Sequence, residues 1–290
     1  RLADALPRYV AAGPNAREEL LRFLSAHGFS LVEHGSAELV RSSLSALNDE
    51  QRDTEPIALA LRAWFEVDNA RYAESVALFE KALASASDDQ ERCALSLHYA
   101  LSLLSRDPVR VVEILLRVVP DASFNPVLDV RVRGALALAY ASLGQHAEAR
   151  AYAERANALA LTSNDEELRL RSRLYLALAL SQSGDEELAR QLAMETSRDA
   201  EASGHFGIAV KAYGAIAMLR YEIDHDLADV SMYTERMAHA ALRNGQQSEA
   251  MYAFSEWYTA EAQRGNEAVL AAIVERFKHC DDRLRLRINT

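Results

Sequence analysis

The side chains most able to do chemistry are spaced so that little of it follows. The eight histidines stand at His27, His34, His98, His146, His205, His225, His239 and His279, and the two cysteines, Cys93 and Cys280, are far apart. No H-E-x-x-H, C-x-x-C or G-x-S-x-G pattern occurs, so hydrolytic metal sites, redox pairs and nucleophile elbows have no motif to rest on. No G-x-x-x-x-G-K-[ST] loop is present to cradle a nucleotide phosphate. His279-Cys280-Asp281-Asp282 holds ligand-type groups, but neighbours on one strand or helix point apart, so no metal is expected there. Asp224-His225-Asp226 reads as a turn in which Asp226 opens the next helix by accepting from its first free N–H groups. The acids of Asp185-Glu186-Glu187 and Asn164-Asp165-Glu166-Glu167 suit the positive end of a helix dipole rather than paired-acid catalysis. The expectation is a protein with no catalytic residues, no metal and no cofactor. What remains is binding chemistry, above all Arg131 and Arg171, two forked cations forty residues apart. Side by side they would hold a carboxylate or phosphate; alternatively each pairs with a local acid such as Asp129 or Glu167.

Those two arginines can lie in equivalent places only if the chain repeats, and the composition favours that. The 290 residues are 50% hydrophobic and 26% charged, with only 11 Gly and 6 Pro. Gly and Pro are about half as frequent as the roughly 12% usual in proteins, and Ala and Leu dominate, which predicts an all-helical fold. Turns recur near residues 35, 69, 107, 144, 184, 225 and 265, most at steps of 37–41 residues. Leu136–Ala156 (LALAYASLGQHAEARAYAERA) and Leu176–Thr196 (LALALSQSGDEELARQLAMET) show one such unit twice. Each reads as helix, glycine turn, helix, the glycine supplying a left-handed C-cap that a Cβ would oppose. Small residues such as Ala137 and Ala177 permit close helix approach. Pro56 and Pro108 sit where helices should begin. Pro120 and Pro126 bracket PDASFNP, a linker-like stretch. The reading is three hairpins over 1–120, four over 127–279 and an exit segment over 280–290, stacked so that neighbours bury each other's faces.

In Tyr72–Leu83 (YAESVALFEKAL) the residues Tyr72, Phe79, Ala82 and Leu83 match the tetratricopeptide (TPR) consensus. The resemblance implies a right-handed TPR-like superhelix of about seven helical hairpins. LLRFLSAHGFSLVEHGSAELVRSSLSAL (20–47) and EPIALALRAWFEVDNARYAESVALFEKAL (55–83) resemble, more narrowly, the helical-repeat arm of MalT-like, LuxR-type bacterial transcription regulators. In that family a signalling NTPase module precedes the arm and a helix-turn-helix follows it, and neither is present in this chain. A chain opening on Arg1 rather than Met is accordingly expected to be a piece of a longer protein. The resemblance implies a cytoplasmic, non-catalytic sensor arm whose partner is a small-molecule effector or regulatory protein, and which controls self-association of the full-length regulator. A peptide-binding TPR regulator of the quorum-sensing type, and a plain scaffold for protein partners, are the competing readings.

In TPR folds the first helix of each hairpin lines the concave face. That places Arg131 and Leu138 on it from the fourth hairpin, and Arg171, Tyr175, Leu178 and Gln182 from the fifth. Leu219 and Glu222 come from the sixth, and Tyr252, Glu256, Thr259 and Gln263 from the seventh. Tyr175, Tyr252 and Trp257 could be shared between core and wall. The net charge of −11 argues against nucleic acid as the direct ligand, since that needs clustered Lys and Arg. No apolar run approaches the ~20 residues that span a bilayer, so no membrane association is expected.

Overall fold

The computed structural model describes residues 2–278, and every regular element among them is helical. The chain starts with α1 (Leu6–Ala12), flanked by short 3-10 turns, followed by α2 (Arg17–Glu33), α3 (Ala37–Leu44) and a short α4 (Asp49–Thr54). Next come α5 (Pro56–Asp68), α6 (Tyr72–Ala84), α7 (Asp89–Leu103), α8 (Pro108–Ala122), α9 (Pro126–Ser142) and α10 (His146–Leu161). The last six are α11 (Glu166–Gln182), α12 (Glu186–Ser203), α13 (Phe206–Leu219), α14 (Leu227–Arg243), α15 (Gln247–Arg264) and α16 (Glu267–Lys278). All seven expected turns fall between paired helices, from α2/α3 at Gly35 to α15/α16 at Gly265. The fold is thus a TPR-like array of helical hairpins, with α1 and α4 added outside the repeat.

Local chemistry explains the boundaries. Pro56, Pro108 and Pro126 each open a helix, where the missing N–H costs nothing. Asp88, Asp107, Asn125, Asp165 and Asp226 cap helices by accepting from backbone N–H groups two or three residues on. Asp226 takes both Ala228 and Asp229 N–H, at 3.0 and 3.1 Å, the capping role its sequence context suggested.

The chain divides into two compact units, Arg1–Asn164 and Asp165–Thr290. The division therefore falls after the fourth hairpin, not at residues 120–126. PDASFNP does not act as a linker: α8 runs through Pro120 to a buried Ala122, and Asn125 caps α9 after a short turn. Pro120 sits in the last turn of α8, where it removes one hydrogen bond, to the carbonyl of the half-exposed Leu116.

In the first unit Leu24, Leu59, Leu61, Phe79, Leu97 and Leu115 form a core of large side chains. First helices pack in sequence, α2 on α5, α5 on α7 and α7 on α9. Gly28 makes the first of these approaches close, since a Cβ there would stand 3.0 Å from Leu61 Cδ1. The second unit is built on alanine: Ala177, Ala193, Ala200, Ala209, Ala212, Ala238 and Ala253 are buried around Tyr213, Phe254 and Trp257. There α11 packs on α13, but α13 and α15 meet chiefly through α14, which contacts both. No helix of the described residues is long and apolar enough to cross a membrane.

Candidate functional site

Each unit carries a concavity lined by residues of its first helices, and the second unit has another between α11 and α12, around Arg173 and Asp199. In the first unit a groove of about 490 Å³ runs between α2, α7 and α9. Its wall holds a ring cluster: Phe29 stacks on His98 at 3.5 Å between centroids, and Trp64 meets both edge-on at 6.0 and 6.2 Å. At the α9 side lies Arg131, whose guanidinium donates to the Glu33 carboxylate on α2. Both side chains are largely shielded, 15% and 19% exposed. The expected local partner, Asp129, is instead taken by Arg133 at 2.7 Å. The Arg131 charge is thereby spent inside the protein, joining two helices ninety-eight positions apart.

In the second unit a cleft of about 280 Å³ opens between α13 and α15, with α14 as its floor. It exists because α13 and α15 are held apart. Gly214 leaves the α13 wall low, and Met218, Leu227, Val230 and Met237 line the interior. At the mouth the last turn of α13 widens into a π-turn, Arg220–Asp224, before His225 turns the chain with φ +49°. Arg220 pins this turn by pairing with Asp224 at 2.5 Å and Asp229 at 3.0 Å. Tyr221 and Glu222 ride on the turn and face Tyr252, Glu256, Thr259 and Gln263 of α15. Tyr252 is 59% exposed and Tyr221 50%. Partial burial, reinforced by the Glu256 carboxylate, raises the Tyr252 phenol above its ordinary range.

Behind the cleft a buried polar network fixes α15 against α14. Trp257 Nε1 donates to Ser231 Oγ at 3.1 Å, and that hydroxyl donates to the Glu261 carboxylate. Arg264 Nη1 reaches the same Glu261 oxygen at 2.5 Å. The Trp257 and Ser231 donors are both used, which ties the two helices together, while Glu261 Oε2 is buried without a partner.

The residues expected on the concave face are therefore dispersed. Glu222, Tyr252, Glu256, Thr259 and Gln263 share the second-unit cleft, and Arg131 lines the first-unit groove. Leu138 is half-buried on α9. Arg171 pairs with Glu167 at 2.7 Å, the local alternative. Tyr175 and Leu219 are core residues, 7% and 4% exposed, and Trp257 is buried as well. Leu178 is half-buried against the core and Gln182 is exposed. The floor residues Met218, Leu227, Val230 and Met237 had no signal beyond ordinary helix periodicity, and Gly214 reads in sequence as a mere helix defect. Within either unit, no three ligand-type side chains converge among the described residues. The His279–Asp282 run and the 280–290 exit segment lie outside them.

No family model and no curated protein matches the chain at the sequence level. Solved structures do. A Rap protein in complex with Competence and Sporulation Factor aligns with a TM-score of 0.58 at 11% identity, over 89% of this chain and 76% of that one. Aspartyl phosphate phosphatase F from Bacillus subtilis gives 0.54 at 13% identity, over 84% and 75%. A signal-transduction ATPase (STAND) protein with a tetratricopeptide repeat sensor, from Pyrococcus horikoshii, gives 0.51 at 16% identity. That match covers 95% of this chain, which spans under half, 44%, of the STAND protein. At such identities the likeness establishes the TPR-like helical-repeat fold.

Proposed function

We propose that this chain is a non-catalytic, cytoplasmic sensor arm of a bacterial transcription regulator of the MalT-like, LuxR type. It takes up an effector and thereby controls self-association of the full-length protein. The observation that carries the reading is the second-unit cleft, an apolar concavity rimmed by polar groups from α13 and α15, which is the usual form of a ligand site. The sequence patterns at 20–47 and 55–83 supply the family, and the repeat fold shared with a STAND protein's sensor is consistent with it. An effector that bridges α13 and α15 would favour whichever arrangement of the arm it binds better, by no more than that difference in affinity.

The test is a thermal-shift screen of residues 1–290 against a metabolite library. The expected result is at least one compound that raises the melting temperature of the native chain and not of a Tyr252→Ala variant. Compounds that stabilise both equally would move the site away from the cleft, and a screen without any stabilising compound would count against a small-molecule sensor.

A second reading has its own observation. The first-unit groove is the larger, is walled by three first helices and carries an aromatic cluster, a form suited to an extended peptide. Stabilisation lost on Phe29→Ala but kept on Tyr252→Ala would favour it.

A further inference from the structure

We propose that the cleft between α13 and α15 is an organic-cation site, built for a small amine or guanidine carried on an apolar body. This rests on the reading that the cleft receives the effector, and it adds the effector's chemical class.

The argument begins with the charges. Of the residues that line the cleft, only Glu222 and Glu256 are charged, and no Lys, Arg or His is among them. Elsewhere in this unit some carboxylates are neutralised, Glu187 by Arg190, Asp199 by Arg173 and Glu235 by Arg276. Neither Glu222 nor Glu256 has an ion-pair partner among the described residues. The cation beside Glu222 in sequence, Arg220, is directed into Asp224 and Asp229 instead. The π-turn therefore does two things at once: it carries Tyr221 and Glu222 to the cleft mouth and keeps Arg220 from cancelling the Glu222 charge.

The second part is the rings. Tyr221 and Tyr252 stand exposed at the same mouth. A tyrosine face attracts a cation through its quadrupole, and partial desolvation strengthens the attraction. Two carboxylates and two tyrosine rings lining one opening supply the groups of a cation subsite. Beneath it, Met218, Leu227, Val230 and Met237 offer an apolar floor that a bare hydrated ion could not use. The volume, about 280 Å³, lies just under the range usual for drug-sized ligands and so fits a compact ligand. A carboxylate or phosphate ligand would meet two like charges and no donor cation.

Isothermal titration calorimetry on residues 1–290 tests this with three probes of one shape: phenethylammonium, neutral 2-phenylethanol and 3-phenylpropionate. The cation should bind saturably and at least about tenfold more tightly than the alcohol, and the acid should not bind. The Glu222→Gln/Glu256→Gln double variant should lose about tenfold in cation affinity with its melting temperature unchanged, and rising salt should weaken binding in the native chain. Tyr252→Ala should weaken the cation as well. Equal binding of cation and alcohol, preference for the acid, or a double variant that binds the cation as before would each overturn the cation class. If the preferred probe still lost affinity in Tyr252→Ala, the cleft itself would stand as the effector site. Absence of binding by all three probes would overturn the cation site, and the library screen would then decide the cleft.

Discussion

The two concavities treat charge in opposite ways. In the first unit the groove's cation, Arg131, is closed off by Glu33 and largely shielded from solvent. In the second, the cleft's acids, Glu222 and Glu256, are exposed and have no counter-ion among the described residues. A buried ion pair serves the fold, because separating it strands a charge in a poor solvent. Exposed, uncompensated charges beside apolar floor contribute little to the fold and leave their field available to a ligand. The contrast makes the groove look structural at its charged end and the cleft look receptive.

The largest expected effect breaks that contrast directly. Arg131→Ala removes the shielded charge-assisted bond to Glu33 that ties α9 to α2 and should cost about 2 kcal/mol. Replacing both partners, Arg131→Met with Glu33→Leu, should cost much less. Glu222→Gln and Glu256→Gln should each fall within about 0.5 kcal/mol of the native chain. Urea unfolding can read the units separately, because Trp64 lies in the first and Trp257 in the second. A Trp257→Phe background leaves Trp64 to report on the first unit alone. Equal losses for Arg131→Ala and Glu256→Gln would erase the distinction.

Overpacking comes next. Ala137 in the first unit and Ala177 in the second are both buried, and leucine at either should cost roughly 1–3 kcal/mol. Each substitution should shift the transition of its own unit. Unchanged midpoints in both would show that these alanines do not sit at close helix crossings.

The smallest effect is alkaline. Burial raises the Cys93 thiol from 9.0 to about 11, with the charges of Asp121 and Asp129 adding to it. Burial, with Glu201 adding, raises the Tyr213 phenol from 10.0 to about 12. In each the neutral form is favoured by folding, so the contribution is intact below the unfolded pKa and is lost as pH climbs through the folded one. The first unit should lose stability from pH 9 to 11 and the second from pH 10 to 12. At pH 10 the first loss is on the order of 1 kcal/mol and the second is only a fraction of that. Cys93→Ser should remove the first step and leave the second, which urea unfolding at pH 8 and pH 10 would reveal.

The repeat was legible in the sequence because its punctuation is local. Glycine turns, proline starts and Asp or Asn caps act within four residues, and the buried alanines keep their register without reference to partners. The division at Asn164/Asp165 was not legible, since Asp165 looks like any other helix cap. PDASFNP has the composition of a linker, with a proline at either end, whereas Pro120 occupies a helix end that tolerates it. Of the residues expected on the concave face, those on α15 lie together along the cleft because helix register sets them on one side. Leu219 and Tyr175 are buried in the core, because small changes in helix rotation move a side chain from wall to core. The Arg131–Glu33 pair joins residues too distant for any spacing rule, and the π-turn lies hidden in what reads as an ordinary Asp-His-Asp turn.

The way hairpins touch chiefly their neighbours has a mechanical consequence. Within a unit, interfaces arranged one after another behave like springs in series: the same load passes through each, and the softest takes most of the displacement. In the second unit α11 bears directly on α13, but α13 reaches α15 chiefly through α14. That joint is indirect, with a π-turn at its edge, so load between α13 and α15 is carried by α14. A molecule lodged between α13 and α15 would act as a strut in parallel with α14. It would give the two walls a second, direct path for load, with little change in the joints on either side.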